Sequence, residues 1–81
     1  MELDVRGTEA ATLKGYLELL GGVPTEEDTL VGDGWEARLT VGIHRFYKWD
    51  LPRVVVTFAG DPGKVAEVAR RFQLMAFRGG G

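Results

Sequence analysis

From Glu2 to Arg6 the chain alternates charged and apolar residues, with Leu3 and Val5 between Glu2, Asp4 and Arg6. A period of two predicts a half-buried strand. After Gly7 the period changes. Ala10, Leu13, Leu17 and Leu20 recur at helical spacing with Tyr16 beside them, while Glu9, Lys14 and Glu18 fall opposite. That is an amphipathic helix. Thr8 is its expected cap, and Gly21-Gly22 supplies the left-handed stop. Gly15 inside it costs about 1 kcal/mol relative to alanine and is expected to let the helix approach the sheet.

Residues 23–28 carry Pro24, Glu26, Glu27 and Asp28 and read as a loop. Thr29-Leu30-Val31 is a short strand, and Gly32-Asp33-Gly34 suits a tight hairpin. In the long strand that follows, Trp35, Ala37, Leu39, Val41 and Ile43 share one face, with Glu36, Arg38, Thr40 and His44 on the other. Asp50-Leu51-Pro52 reads as the next turn. From Arg53 to Ala59, Val54, Val56 and Phe58 alternate with Val55 and Thr57, the strongest strand signal in the chain. Asp61 and Pro62 open a second helix as N-cap and first-turn proline. Its buried stripe is Val65, Val68, Ala69, Phe72, Met75 and Ala76, and it is expected to end near Met75. Lys64, Glu67, Arg70 and Arg71 face outward, the two arginines suiting the negative end of the helix dipole.

The predicted order is β-α-β-β-β-α. It implies an α+β fold of two layers, a mostly antiparallel sheet with both helices on one face. Leu13, Leu17, Leu20, Val65, Val68 and Phe72 are expected to meet Leu39, Val41, Val54, Val56 and Phe58 in one core. At 81 residues the chain makes one domain, residues 1–78, with a glycine tail at 79–81. A domain this small buries roughly 60–65% of its unfolded surface, and without cysteine no disulfide reinforces it. Self-association is therefore expected, as a homodimer through residues 35–47 with Tyr47 and Trp49 as anchors.

Composition narrows the chemistry. The chain has no Cys and no Ser, and Met1 precludes an N-terminal threonine nucleophile. His44 is the single histidine, whereas zinc enzymes ordinarily combine three protein ligands. No catalytic residue, metal site or cofactor is expected, and the chain is read as a non-enzyme. It also lacks Asn and has one Gln, Gln73; depletion of thermolabile residues fits a thermophile. No signal segment or membrane-length apolar run is evident, which predicts a cytoplasmic protein with no membrane partner. Charge is uneven. Residues 1–37 hold nine acids against two bases, and residues 38–81 hold three acids against eight bases. The fold is expected to interleave the two halves.

Two segments carry candidate function. His44, Arg45, Phe46, Tyr47, Lys48 and Trp49 interleave bases with rings. The plain reading is a strand end whose rings pack on the core and whose charges are solvated; of the functional readings, an unidentified protein partner comes first, because Trp, Tyr and Arg anchor protein interfaces. Nucleic acid would use a similar mixture, but the isoelectric point of about 5.3 argues against it. The second segment is Arg78-Gly79-Gly80-Gly81. A bare glycine end can enter a narrow enzyme pocket, as the reactive ends of sulfur carriers do.

Residues 16–22 (Tyr-Leu-Glu-Leu-Leu-Gly-Gly), the paired strands around residues 35–46 and 51–60, and residues 69–81 together resemble a small domain family. Its best-known setting is the C-terminal half of thermophilic bacterial proteins related to the small, sulfur-carrying subunit of molybdopterin synthase. The resemblance spans nearly the whole chain. It implies a TATA-binding-protein-like fold, helices on a curved antiparallel sheet, and no catalytic residues. Three functions follow in order of preference. The first is an accessory binding module linked to molybdenum-cofactor or sulfur-carrier metabolism. The second is a sulfur carrier activated at Gly81, although ubiquitin-like carriers begin β-β-α and this chain begins β-α. The third is a nucleic-acid-binding domain.

Overall fold

The computed structural model describes residues 1–79, with side-chain surroundings through Phe77. Its elements are β1 (Glu2–Arg6), α1 (Ala10–Leu19), β2 (Val23–Glu26), β3 (Thr29–Gly32), β4 (Trp35–Phe46), β5 (Trp49–Gly60) and α2 (Pro62–Gly79). The five strands form one antiparallel sheet in the order β1-β5-β4-β3-β2. Both helices lie on one face: α1 against β3 and β4, α2 against β4 and β5, and each against the other. The expected two-layer α+β arrangement holds, with one strand more than the pattern predicts.

That extra strand is β2, which the sequence presents as a loop. All four of its residues are exposed, so no buried-exposed alternation marks it. Backbone pairing to β3 makes it a strand, and its register shifts between Pro24 and Glu26. The last hairpin also differs from expectation. Asp50, Leu51 and Pro52 are strand residues, and the turn is Tyr47-Lys48, closed by Phe46 opposite Trp49. Pro52 is tolerated because β1 stops at Arg6 opposite Arg53, so no ladder partner needs the missing N–H. Its carbonyl accepts the Gly7 N–H at 2.8 Å.

The helix ends follow their local chemistry. At the end of α1, Gly21 adopts φ 102°. Its N–H donates to Glu18 O at 3.0 Å, and the Gly22 N–H donates to Leu17 O at 2.9 Å, the paired bonds of a Schellman stop. The N-terminal residue is Glu9 in place of Thr8, with no side-chain bond. Asp61 caps α2 as expected: its carboxylate accepts the Lys64 backbone N–H at 3.0 Å. α2 continues to Gly79, well past Met75. Arg70 and Arg71 are therefore mid-helix, and Arg71 pairs with Glu67 one turn earlier at 3.0 Å.

The core is one cluster. Leu13 and Leu17 from α1, and Val65, Val68, Ala69, Phe72 and Ala76 from α2, meet Val5, Leu30, Trp35, Ala37, Leu39, Val54, Val56 and Phe58 of the sheet. Phe72 is fully buried and meets Phe58 edge-on with ring centroids 5.7 Å apart. Trp35 lies over Gly32, where a Cβ would fall inside the indole ring. Gly15 has open space around it, so it brings no helix closer to the sheet. Leu20 is only partly buried and packs against the cluster. Val41, expected in the core, is 56% exposed, and Ile43 beyond it is 72% exposed. Both point to the helix-bearing side but lie past the region the helices cover.

Phe72→Ala is expected to lower the unfolding free energy by about 3–5 kcal/mol, the range for large core truncations. Denaturant titration followed by circular dichroism checks this; a loss below about 1 kcal/mol would remove Phe72 from the centre of the core.

Candidate functional site

β4 and β5 are each twelve residues long. Neither β1 nor β3 follows them to their shared turn, because β1 ends opposite Arg53 and β3 begins opposite Arg38. Beyond Gly42 opposite Arg53, residues 43–52 thus form a two-stranded arm, and the molecule is elongated, 41 × 25 × 19 Å. The arm and its base carry exposed Val41, Ile43, Phe46, Tyr47, Trp49 and Leu51.

Strand register sorts the expected binding residues onto different surfaces. His44 stands opposite Leu51, and Phe46 opposite Trp49; cross-strand partners share a face, here the one away from the helices. Arg45 stands opposite Asp50 on the helix-bearing side, and their side chains form an ion pair at 3.1 Å. Tyr47 and Lys48 form the tip. His44 is half-buried and Arg45, Tyr47, Lys48 and Trp49 are exposed. The fold therefore separates the rings from Arg45 and offsets the Arg45 charge with Asp50. Rings and unopposed bases do not form a common platform for a nucleic-acid backbone.

Tyr47 adopts φ 57° and is the only non-glycine residue at positive φ among the described residues. This is unfavourable for a bulky side chain, and the first position of such a two-residue turn ordinarily selects glycine. The conformation holds Tyr47 at 83% exposure, with its ring edge-on to Phe46 at a centroid distance of 4.6 Å. Tyr47 is thus a strained, exposed aromatic at a projecting tip.

Elsewhere the surface offers less. A cleft of about 240 Å³ lies between α2 and the β3–β4 hairpin, lined by Leu20, Trp35, Lys64, Glu67, Val68 and their neighbours. Small-molecule sites ordinarily span roughly 300–1,000 Å³, and the charges at this rim pair with one another, Lys64 with Asp33 at 3.6 Å and Arg71 with Glu67. Among the described residues no three His, Cys, Asp or Glu side chains converge as a metal site. No helix among them is long and apolar enough to cross a membrane. Of the tail, Gly79 closes α2; the Arg78 side chain, Gly80 and Gly81 lie outside the described residues.

On the open face at the base of the arm, Arg53 donates to both Asp4 oxygens at 3.0–3.2 Å, and Arg6 reaches Asp4 at 3.4 Å. The Arg53–Asp4 bonds tie the acidic N-terminal half to the basic C-terminal half, as does Lys64–Asp33. The hydrogen bond from Arg53 holds the Asp4 carboxyl below its ordinary value of 3.8; desolvation opposes this and Arg6 adds to it. A carboxylate with a lowered folded pKa stabilises the fold above its unfolded pKa, and the contribution disappears as pH falls through the folded value. Asp4→Asn should therefore be less stable than the parent by a constant margin from neutral pH down to about pH 4, and the margin should close below that. Because the pair is exposed, salt should shrink it. Thermal melts across pH test this; a margin that does not shrink as pH falls below about 4 would show that Asp4 acts through something other than its charge.

The family model for archaeal MoaD-like proteins matches residues 1–81, the whole chain. No curated protein gives a significant match. The chain belongs to the archaeal MoaD-like family, which relates it to the small subunit of molybdopterin synthase.

Proposed function

We propose that this member of the archaeal MoaD-like family is a non-enzymatic accessory module in molybdenum-cofactor or sulfur-carrier biology, and that it holds a protein partner through the tip of the β4–β5 arm. The family supports the biological setting. The resemblance to C-terminal domains of thermophilic bacterial proteins is part of this reading and suggests a working place inside the cell beside a carrier. The observation that carries the binding role is the arm itself, with Tyr47, Trp49 and Phe46 held 83%, 68% and 53% exposed beyond the core. Burying such rings supplies most of the energy of a typical interface. A non-catalytic role fits a chain without Cys or Ser and with one His.

The test compares capture of partners from the source cells by the parent chain and by Trp49→Ala and Tyr47→Gly, with affinities then measured for the partner found. Trp49→Ala is expected to weaken binding about thirty-fold, or ~2 kcal/mol. Tyr47→Gly should weaken binding while leaving stability unchanged or raising it by up to about 1 kcal/mol, because glycine relieves the positive φ. Equal capture by all three proteins would remove the tip from the interface.

A second reading rests on the family match and on Gly79-Gly80-Gly81. In it, Gly81 is activated as an acyl-adenylate and its carboxylate becomes a thiocarboxylate. The observed topology, β-α at the start and strand order β1-β5-β4-β3-β2, weighs against a ubiquitin-like carrier. Intact mass after incubation with ATP, activating enzyme and sulfur donor decides: no change is expected, and exchange of one oxygen for sulfur that disappears on deletion of Gly81 would establish the carrier.

A further inference from the structure

An antiparallel sheet with open ends must guard its edges against unwanted pairing. Three of the free edges here are guarded. β2 carries Pro24, a register shift and Glu26. β1 is five residues long and bears Glu2, Asp4 and Arg6. The part of β5 beyond β1 has Asp50 and Pro52, and the Pro52 carbonyl is already bonded to Gly7. The fourth edge is different. β3 leaves β4 at Arg38, and the last bond on that side runs from Leu39 N–H to Asp28 O at 2.8 Å. From Thr40 to Phe46 the outer edge of β4 has no strand beside it among the described residues. That segment is Thr-Val-Gly-Ile-His-Arg-Phe, rich in strand-forming residues and free of proline.

Register fixes which backbone groups are available. Leu39 directs its N–H outward from β5, and Trp35, opposite Gly32, closes the hairpin on the same side. Successive residues alternate, so Val41, Ile43 and Arg45 present their N–H and C=O groups on this edge. Their side chains lie on the helix-bearing face, where Val41 and Ile43 are more than half exposed.

We propose that this edge pairs antiparallel with the same edge of a second copy, joining two five-stranded sheets across a two-fold axis at Ile43. In that register Ile43 meets Ile43 of its copy and exchanges two hydrogen bonds with it. Val41 and Arg45 face each other twice and exchange four more. No like charges oppose one another, and Arg45 brings its own counter-ion, Asp50. The edge backbone and the exposed side chains of Val41 and Ile43 supply the contact on the sheet layer. Tyr47, Lys48 and Trp49 lie beyond the paired segment, so the dimer does not rest on the partner-binding tip.

The test is sedimentation equilibrium of the full chain over a concentration series, with a register probe. The parent should move from 8.9 kDa to twice that mass. Ile43→Pro removes an outward N–H that has no strand partner within the chain, and Ile43→Lys places a charge at the axis; both should stay monomeric with folded circular dichroism spectra. Because the chain has no cysteine, Ile43→Cys introduces a single thiol. Hydrogen-bonded antiparallel partners stand about 5.5 Å apart at Cα, within disulfide range, so mild oxidation of the Ile43→Cys chain should link two copies quickly, whereas Leu19→Cys should not link. A parent that remains monomeric overturns the proposal. So does a dimer that persists in both the Ile43→Pro and Ile43→Lys chains while the Ile43→Cys chain fails to link. Tip variants at Tyr47 and Trp49 should leave the dimer intact, and its loss in them would also overturn it.

Discussion

The structure depends on the pairing of β4 with β5. It is the longest ladder in the sheet, running from Trp35 opposite Gly60 to Phe46 opposite Trp49. Every other element is placed against it. β1 joins its β5 side, β3 and β2 extend its β4 side, and both helices pack on one face of it. Twelve strand residues extend about 40 Å. The eighteen residues of α2 extend about 27 Å, and α1 is shorter. The helical layer therefore cannot cover the whole ladder, and the uncovered end becomes the arm. The same mismatch leaves Val41 and Ile43 exposed and projects the ring-bearing tip, while the shortness of β3 opens the outer edge of β4.

Much of this fold is legible because burial follows period. Val65, Val68, Ala69, Phe72 and Ala76, and the alternation through Val54, Val56 and Phe58, are buried where the pattern places them, while Met75 is only half-buried. The Asp61-Pro62 start and the Gly21-Gly22 stop are readable because each meets a specific backbone need. β2 is not readable, since all four of its residues face solvent and Pro24 suggests a loop. The final turn is misread from residue types because Asp50 and Pro52 carry turn chemistry whereas Tyr47 and Lys48 do not. Val41 and Ile43 continue a perfect alternation, but alternation shows which side a residue faces and not whether a helix covers that side.

The candidate site shows the same division. Residues 44–49 stand out in the sequence as a cluster of bases and rings, and the structure brings them to one projecting hairpin. Only register reveals that the cluster is split: His44, Phe46 and Trp49 on one face, Arg45 against Asp50 on the other, and Tyr47 with Lys48 at the tip. The strained Tyr47 backbone and the unguarded edge of β4 arise from turn placement and strand ends, neither of which residue identity specifies alone. Membership of the archaeal MoaD-like family gives the chain a biological setting.

The arm stands outside the core as a structural unit of its own. Amide hydrogen exchange on the dilute chain tests this. His44 and Leu51 face each other within the arm, while Arg38 and Thr57 face each other beneath the helices. His44 and Leu51 are expected to exchange through a local opening, at a free energy well below that of global unfolding, while Arg38 and Thr57 exchange only when the whole domain unfolds. Equal opening free energies at all four amides would contradict this, since the arm would then be part of one cooperative core.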